Sequence, residues 1–244
     1  MAKVQTAKIS ADILQITSKI TISKWPPKSD FPADILKFMK KNATEKQALK
    51  LMKTNKYFIR EKCPFIYFDD YFVLTQNFVH QTHSTPKAMY YRIEELPNNL
   101  GICGTLHIQH ENLLSHFISK CVMFDLKCLN FNWTKNVKIS YNDFKVLTSS
   151  GRLEKLDLGP TIVTSKNGEI IPYESLLNHT PALRRLCLEY NHYLKFSQKF
   201  IEKICASNLE KFEVFKLPIN FKREALMSYM AKKKPNLRVL LYFK

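Results

Sequence analysis

Six short segments between residue 100 and residue 244 share one pattern, an apolar residue followed by apolar residues three and five places on. They are Cys103/Leu106/Ile108, Leu126/Leu129/Phe131, Leu153/Leu156/Leu158, Leu183/Leu186/Leu188, Leu209/Phe212/Val214 and Leu237/Leu240/Tyr242. Their starts lie 23, 27, 30, 26 and 28 residues apart. In a chain that is 45% apolar, three specified positions match by accident at about one start in eleven, so a single match decides nothing. The near-even spacing carries the argument, together with one helical stretch in each interval. Those stretches are Asn112 to Lys120, Tyr141 to Leu147 behind Ser140, Tyr173 to Asn178, Gln198 to Ala206 behind Ser197, and Phe221 to Met230 behind Asn220. Serine or asparagine at such an entry favours a helix, because its side-chain oxygen accepts from the unpaired amides of the first turn.

A strand and a helix in every roughly 20–29 residues is the leucine-rich-repeat pattern, in which each unit buries its apolar face only against its neighbours. The asparagine ladder of a regular repeat is absent. Residues 100–244 therefore read as a leucine-rich-repeat-like domain, a short irregular βα solenoid, and the fold class is α/β. An ordinary α/β domain with coincidental spacing is the competing reading. In the repeat, the third and fifth positions of each segment face the concave side. They hold Thr105, Cys128, Lys155, Arg185 and Lys211, beside His107, Asn130, Asp157, Cys187 and Glu213. Lys155, Arg185 and Lys211 would form one basic column flanked by Asp157 and Glu213. These five, with Cys187, are the candidate target-binding residues; the alternative is a merely solvated face.

Upstream the chain has a different character. Residues 1–29 read as a flexible leader ending in Lys24-Trp25-Pro26-Pro27-Lys28-Ser29, where the double proline blocks a continuing helix. Asp30 is a candidate N-cap, Phe31 and Pro32 open a helix, and Ile35, Leu36 and Met39 share its apolar face. A second helix is expected from about Thr44, with Ala48, Leu49, Leu51 and Met52 apolar, and Tyr57 and Phe58 close the unit. The divisions are 1–29 leader, 30–72 helical unit, 73–99 connecting segment and 100–244 repeat-like domain.

The run FPADILKFMKKNATEKQALKLMKTNKYF is similar to an F-box, whose usual opening is Leu-Pro-x-Asp/Glu-Ile/Leu-Leu followed by a helix and a later aromatic. Phe31, Pro32, Asp34, Ile35 and Leu36 stand at the opening, with phenylalanine in place of leucine. Leu49, Met52 and Phe58 stand at the later apolar positions, and the usual tryptophan is missing. ADIL occurs twice, at Ala11–Leu14 and Ala33–Leu36, and the second copy fits because Pro32 precedes it. The stretch FKVLTSSGRLEKLDL…NGEIIPYESLLNHTPALRRLCLEY resembles the repeat body of the expanded nematode F-box proteins. This resemblance covers residues 30–72 and 140–244. It implies a substrate receptor of a cullin-RING (SCF-type) ubiquitin ligase. Phe31, Pro32, Ile35, Leu36, Leu49 and Met52 would dock on the acidic adaptor subunit, while the repeats hold a target protein. Two other readings stand beside it: a basic RNA-binding module using Lys155, Arg185 and Lys211 with exposed aromatics, and a repeat interaction protein whose F-box has degenerated.

The formal net charge is +17, unevenly spread. Residues 1–60 hold 13 Lys+Arg against 4 Asp+Glu, residues 61–150 hold 8 against 8, and residues 151–244 hold 17 against 9. Basic ends favour an acidic partner, protein or polyanion. No apolar run approaches the ~18 residues that span a bilayer, and the N-terminus lacks a signal-peptide h-region. The protein is expected in the cytosol or nucleus, with no membrane partner. Its six cysteines, at 63, 103, 121, 128, 187 and 205, are then structural thiols.

Catalytic patterns are missing. GxSxG, Walker and GxGxxG loops are absent, and Gly101-Ile102-Cys103-Gly104 lacks the basic centre of an RNA-clamping loop. His110-Glu111-Asn112-Leu113-Leu114 opens like a zincin helix but lacks its second histidine. His80/His83 and His107/His110 have a three-residue spacing that sends a strand pair to opposite faces. Asp69 and Asp70 are adjacent, so on a strand they diverge. No enzyme activity and no cofactor are expected.

Overall fold

The computed structural model describes residues 32–42, 66–75, 78–82, 89–131, 138–192, 194 and 196–244. Helix α1 (Ala33–Asn42) is followed by strands β1 (Ile66–Leu74), β2 (Phe78–Thr82), β3 (Met89–Arg92) and β4 (Leu100–Ile108). Next come α2 (Leu114–Lys120), β5 (Cys121–Asn130), β6 (Lys138–Ser140), α3 (Tyr141–Leu147), β7 (Lys155–Gly159) and β8 (Ile162–Thr164). The chain continues through α4 (Tyr173–Leu176), β9 (Arg185–Glu189), α5 (Gln198–Ala206), β10 (Lys211–Leu217), α6 (Arg223–Lys233) and β11 (Arg238–Phe243).

The fold is α/β. Nine strands form one sheet in the order β11-β10-β9-β7-β5-β4-β1-β2-β3, and β6 pairs with β8 apart from it. Seven of the nine, β1, β4, β5, β7, β9, β10 and β11, are parallel neighbours in chain order. β2 pairs antiparallel with β1 and β3. All six segments picked out by their apolar pattern lie on this parallel run, from β4 to β11.

One row of the sheet shows why the run forms. Phe72, Leu106, Leu129, Leu156, Leu186 and Phe212 stand in register, strand by strand, and all are buried. Helices cover that side. Phe117 of α2 meets Phe124 of β5 edge-on at 6.3 Å, and Phe200 of α5 meets Phe212 at 6.1 Å. Tyr173 of α4 in turn meets Phe200 at 6.0 Å, so the helices form a layer. Two entries are capped as their sequences predict: Ser140 Oγ accepts from the Asp143 amide at 3.0 Å, and Ser197 Oγ from the Phe200 amide at 3.1 Å.

Just before the strands, the backbone repeats one bond. Glu154 N donates to Lys127 O, Arg184 N to Glu154 O, Glu210 N to Arg184 O and Arg238 N to Glu210 O, each at 2.8–2.9 Å. Between Gly104 and Thr105 the pairing with β5 slips past Lys127, and Gly104 takes φ 80° there. A side chain would oppose that left-handed conformation. The GxxG at residues 101–104 is thus part of a strand.

The structure departs from the sequence reading at several places. β1 runs across the 72/73 boundary and β2 and β3 lie within the 73–99 segment, yet all three belong to the main sheet, so residues 73–99 do more than connect. The stretch from Tyr173 splits into α4 and a 3₁₀ turn, Leu177–His179. α2 starts at Leu114 and α6 at Arg223, neither with a side-chain cap, because turns at Glu111–Leu114 and Pro218–Phe221 consume the preceding residues. The last segment is out of frame by one residue. Phe212 pairs with Val239 and Lys211 with Arg238, so Leu240 and Tyr242 leave the helix-covered side while Val239 and Leu241 pack against the core. β11 is apolar at every position from Val239 to Phe243, and such a run cannot choose its own frame.

Candidate functional site

The face opposite the helices is charged. Its first tier is Thr105, Cys128, Lys155, Arg185, Lys211 and Arg238, in continuous register across β4, β5, β7, β9, β10 and β11. The second tier, two residues further along each strand, is His107, Asn130, Asp157, Cys187, Glu213 and Leu240. Strand alternation puts these side chains on the face away from Leu156, Leu186 and Phe212. The six candidate target-binding residues, Lys155, Asp157, Arg185, Cys187, Lys211 and Glu213, are therefore brought together.

They are not six equal surface groups. Lys155 and Arg185 are exposed, but Cys187 is buried and the Glu213 side chain is 3% exposed. Glu213 sits beneath two cations, with Arg185 Nε 2.7 Å from Oε2 and Lys211 Nζ 3.0 Å from Oε1. The Arg185 contact is a charge contact without hydrogen-bond alignment, since Oε2 has no hydrogen-bond partner. Part of the basic tier is thus spent on holding a buried carboxylate.

Beside it, the Cys187 thiol donates to the Asp157 carboxylate, which also accepts from the Gly159 amide at 3.0 Å. Burial, and then the Asp157 charge, push Cys187 far above the ordinary thiol range. Burial also raises Cys128. Cys187 is not set up as a nucleophile, because a thiolate here would be desolvated beside a carboxylate, while at Cys128 burial outweighs the opposing pull of Lys155. The five described cysteines, Cys103, Cys121, Cys128, Cys187 and Cys205, are free. Burial lowers the His107 imidazole below its ordinary range. Among the described residues no group of three or more His, Cys, Asp or Glu could hold a metal ion.

Asp157 yields a pH prediction. Burial raises its carboxyl above the usual aspartate range, against the hydrogen bonds and Arg185. A folded-state pKa above the unfolded value means that the native state prefers the protonated acid. Stability contributed by the neutral form is then lost as pH rises from the ordinary aspartate range through the raised one. Asp157→Asn should gain stability relative to the parent over that interval and show a flat difference above it, as read by urea unfolding at stepped pH.

A third tier was missed by the sequence reading. Phe215 and Tyr242, next along β10 and β11, stack with centroids 4.4 Å apart and planes 2° from parallel, and both are exposed. A bulge between Val214 and Leu217 places Lys216 at φ 57°, where its Nζ pairs with Glu189 at 2.9 Å. Nothing in the six-residue pattern reaches Phe215, and the frame slip hid Arg238 and Tyr242.

Of the adaptor-docking candidates, Pro32 and Ile35 are exposed and Leu36 lies in α1. Ile35 is 43% exposed, and Phe38, one turn on and not singled out from the sequence, is 68% exposed. Phe31, Leu49 and Met52 lie outside the described residues, as do Asp30, His83 and the expected second helix. No described helix is long and apolar enough to cross a membrane. No family model, curated protein or solved structure matches the chain.

Proposed function

We propose that this chain is an F-box-type substrate receptor: α1 and the segment after it dock on the acidic adaptor of a cullin-RING ubiquitin ligase, and the charged face of a leucine-rich-repeat-like body holds the target. The observation that carries the reading is α1 itself. It begins directly after Pro32 and presents Ile35 and Phe38 to solvent at i, i+3 spacing, an apolar stripe of the kind that seats in a partner's groove. Parallel strands in chain order and the bond that recurs at the entries of β7, β9, β10 and β11 support the repeat-like body. The surplus of basic residues in 1–60 suits an acidic adaptor, mainly through the rate of encounter.

The test is adaptor binding by the full chain, measured by calorimetry. Micromolar or tighter binding is expected (about −8 kcal/mol). Ile35→Lys and Phe38→Ala should each weaken it at least ~10-fold, the loss of about 1.4 kcal/mol that one buried apolar anchor accounts for. No binding by the parent chain would end the receptor reading in favour of a repeat protein with a degenerate F-box.

A further inference from the structure

We propose that the outer edge of β11, unpaired among the described residues, accepts an extended acidic segment carrying an aromatic residue, which adds to the sheet as a further strand and stacks its ring on Tyr242. The inference rests on edge geometry, independently of adaptor docking; where the receptor reading holds, it names the class of target.

Among the described residues β11 is paired on one side only, with β10. Natural edge strands are normally guarded by proline, a bulge or an interior charge. From Val239 to Phe243 β11 has neither a proline nor a charge, and its basic groups, Arg238 and Lys244, stand at the two ends. The bulge at this edge belongs to β10.

The aromatic tier gives the edge its specificity. Phe215 and Tyr242 stand on adjacent strands, and their centroid separation of 4.4 Å is close to the ~4.8 Å between strands. Parallel rings at that separation are stacked along the strand-to-strand direction. One face of Tyr242 is therefore covered by Phe215, and the other looks out over the outer edge. A strand added there would bring an aromatic side chain to that open face at the spacing already used once.

Charge selects the rest of the segment. Arg238, Leu240 and Tyr242 alternate with Val239 and Leu241, so an added strand meets a cation, an apolar group and a ring at successive same-face positions. Extended chains advance about 3.3 Å per residue. A carboxylate beside Arg238 and a ring beside Tyr242 are then four residues apart, with a neutral residue between them beside Leu240. Main-chain bonds to the edge supply affinity, and these alternate side chains supply selectivity. A second copy of the chain fits poorly. Antiparallel β11–β11 pairing about the strand centre would set Tyr242 opposite Val239, leave the ring face empty, and join two chains of net charge +17. A phosphate backbone reaching from Arg238 and Lys211 to the rings would cross the Asp157–Glu213 tier, whereas a peptide with spaced carboxylates crosses it with neutral residues.

The probes are two fluorescein-labelled, threonine-rich nine-residue peptides with Glu and Tyr four residues apart, one in each order, titrated into the full chain by fluorescence anisotropy. Saturable binding of one order is expected. It should weaken at least ~10-fold when the peptide tyrosine becomes serine or when the protein carries Tyr242→Leu, which keeps apolar bulk. Arg238→Gln should weaken it about 3-fold and lower its salt sensitivity. Circular dichroism of each variant establishes folding, and Lys232→Gln, on the exposed end of α6, should bind as the parent does. The proposal is overturned if neither peptide saturates, if Tyr242→Leu binds unchanged, if oligouridylate displaces the peptide at lower concentration, or if sedimentation shows a dimer that Tyr242→Leu dissolves. Adaptor binding is measured separately, so loss of the receptor reading leaves this result standing.

Discussion

Phe212→Ala is expected to lower the unfolding free energy by about 3–5 kcal/mol, the range for deleting a large buried aromatic side chain. Phe212 is fully buried, in register between Leu186 and Val239, and meets Phe200 of α5 edge-on at 6.1 Å. Removing the ring empties space against two strands and one helix, none of which can close in without breaking its own register. Leu186→Ala, one strand inward, should cost about 2–5 kcal/mol for the same reason. Urea unfolding with a constant m-value reads both. A loss below ~1 kcal/mol at Phe212 would mean that the row does not hold the sheet to its helices.

That row was legible because β7, β9 and β10 alternate cleanly. Lys155, Arg185 and Lys211 each precede a large apolar residue, and Asp157, Cys187 and Glu213 each follow it. Only one phase of such a strand buries its apolar set. β11 has no polar residue between Val239 and Phe243, so its sequence is compatible with either phase, and its frame is set by pairing with Lys211–Val214 and by the Glu210 carbonyl. β2 and β3 escaped for a different reason. They pair antiparallel, outside the strand–helix spacing that made the other segments visible. Helix entries were legible where serine makes the cap, at Ser140 and Ser197, and misplaced where a tight turn replaces it, at Asn112 and Asn220.

The charged face was legible as a set of positions but not as a set of environments. Alternation placed Arg185, Lys211 and Glu213 on one face, yet it carries no information on depth. That Glu213 is covered while Arg185 stays half exposed depends on how two long cationic side chains fold across a shorter carboxylate. The stacked pair continues the same alternation, Phe215 two residues past Glu213 and Tyr242 two past Leu240, but it lies beyond the repeated pattern on β10 and needs the frame of β11, which that strand's sequence does not fix.

Depth changes what Arg185 should do on mutation. As a surface cation it would cost less than roughly 0.5 kcal/mol, the expectation that still holds for exposed Lys155→Ala. Arg185→Ala instead leaves Glu213, 3% exposed, with Lys211 as its only ion-pair partner among the described residues. Breaking a buried pair from one side costs about 3–5 kcal/mol. Arg185 is 46% exposed, and the Lys211 contact at 3.0 Å survives, so solvent and the second cation reduce the expected loss to about 1–2 kcal/mol. Glu213→Gln should cost less, because the cations it frees can turn to water. The double variant Arg185→Ala/Glu213→Gln should then be more stable than the sum of the single losses by about 1 kcal/mol. A urea double-mutant cycle that closes to within ~0.3 kcal/mol would show Arg185 to be an ordinary surface group, leaving its full charge available to a target.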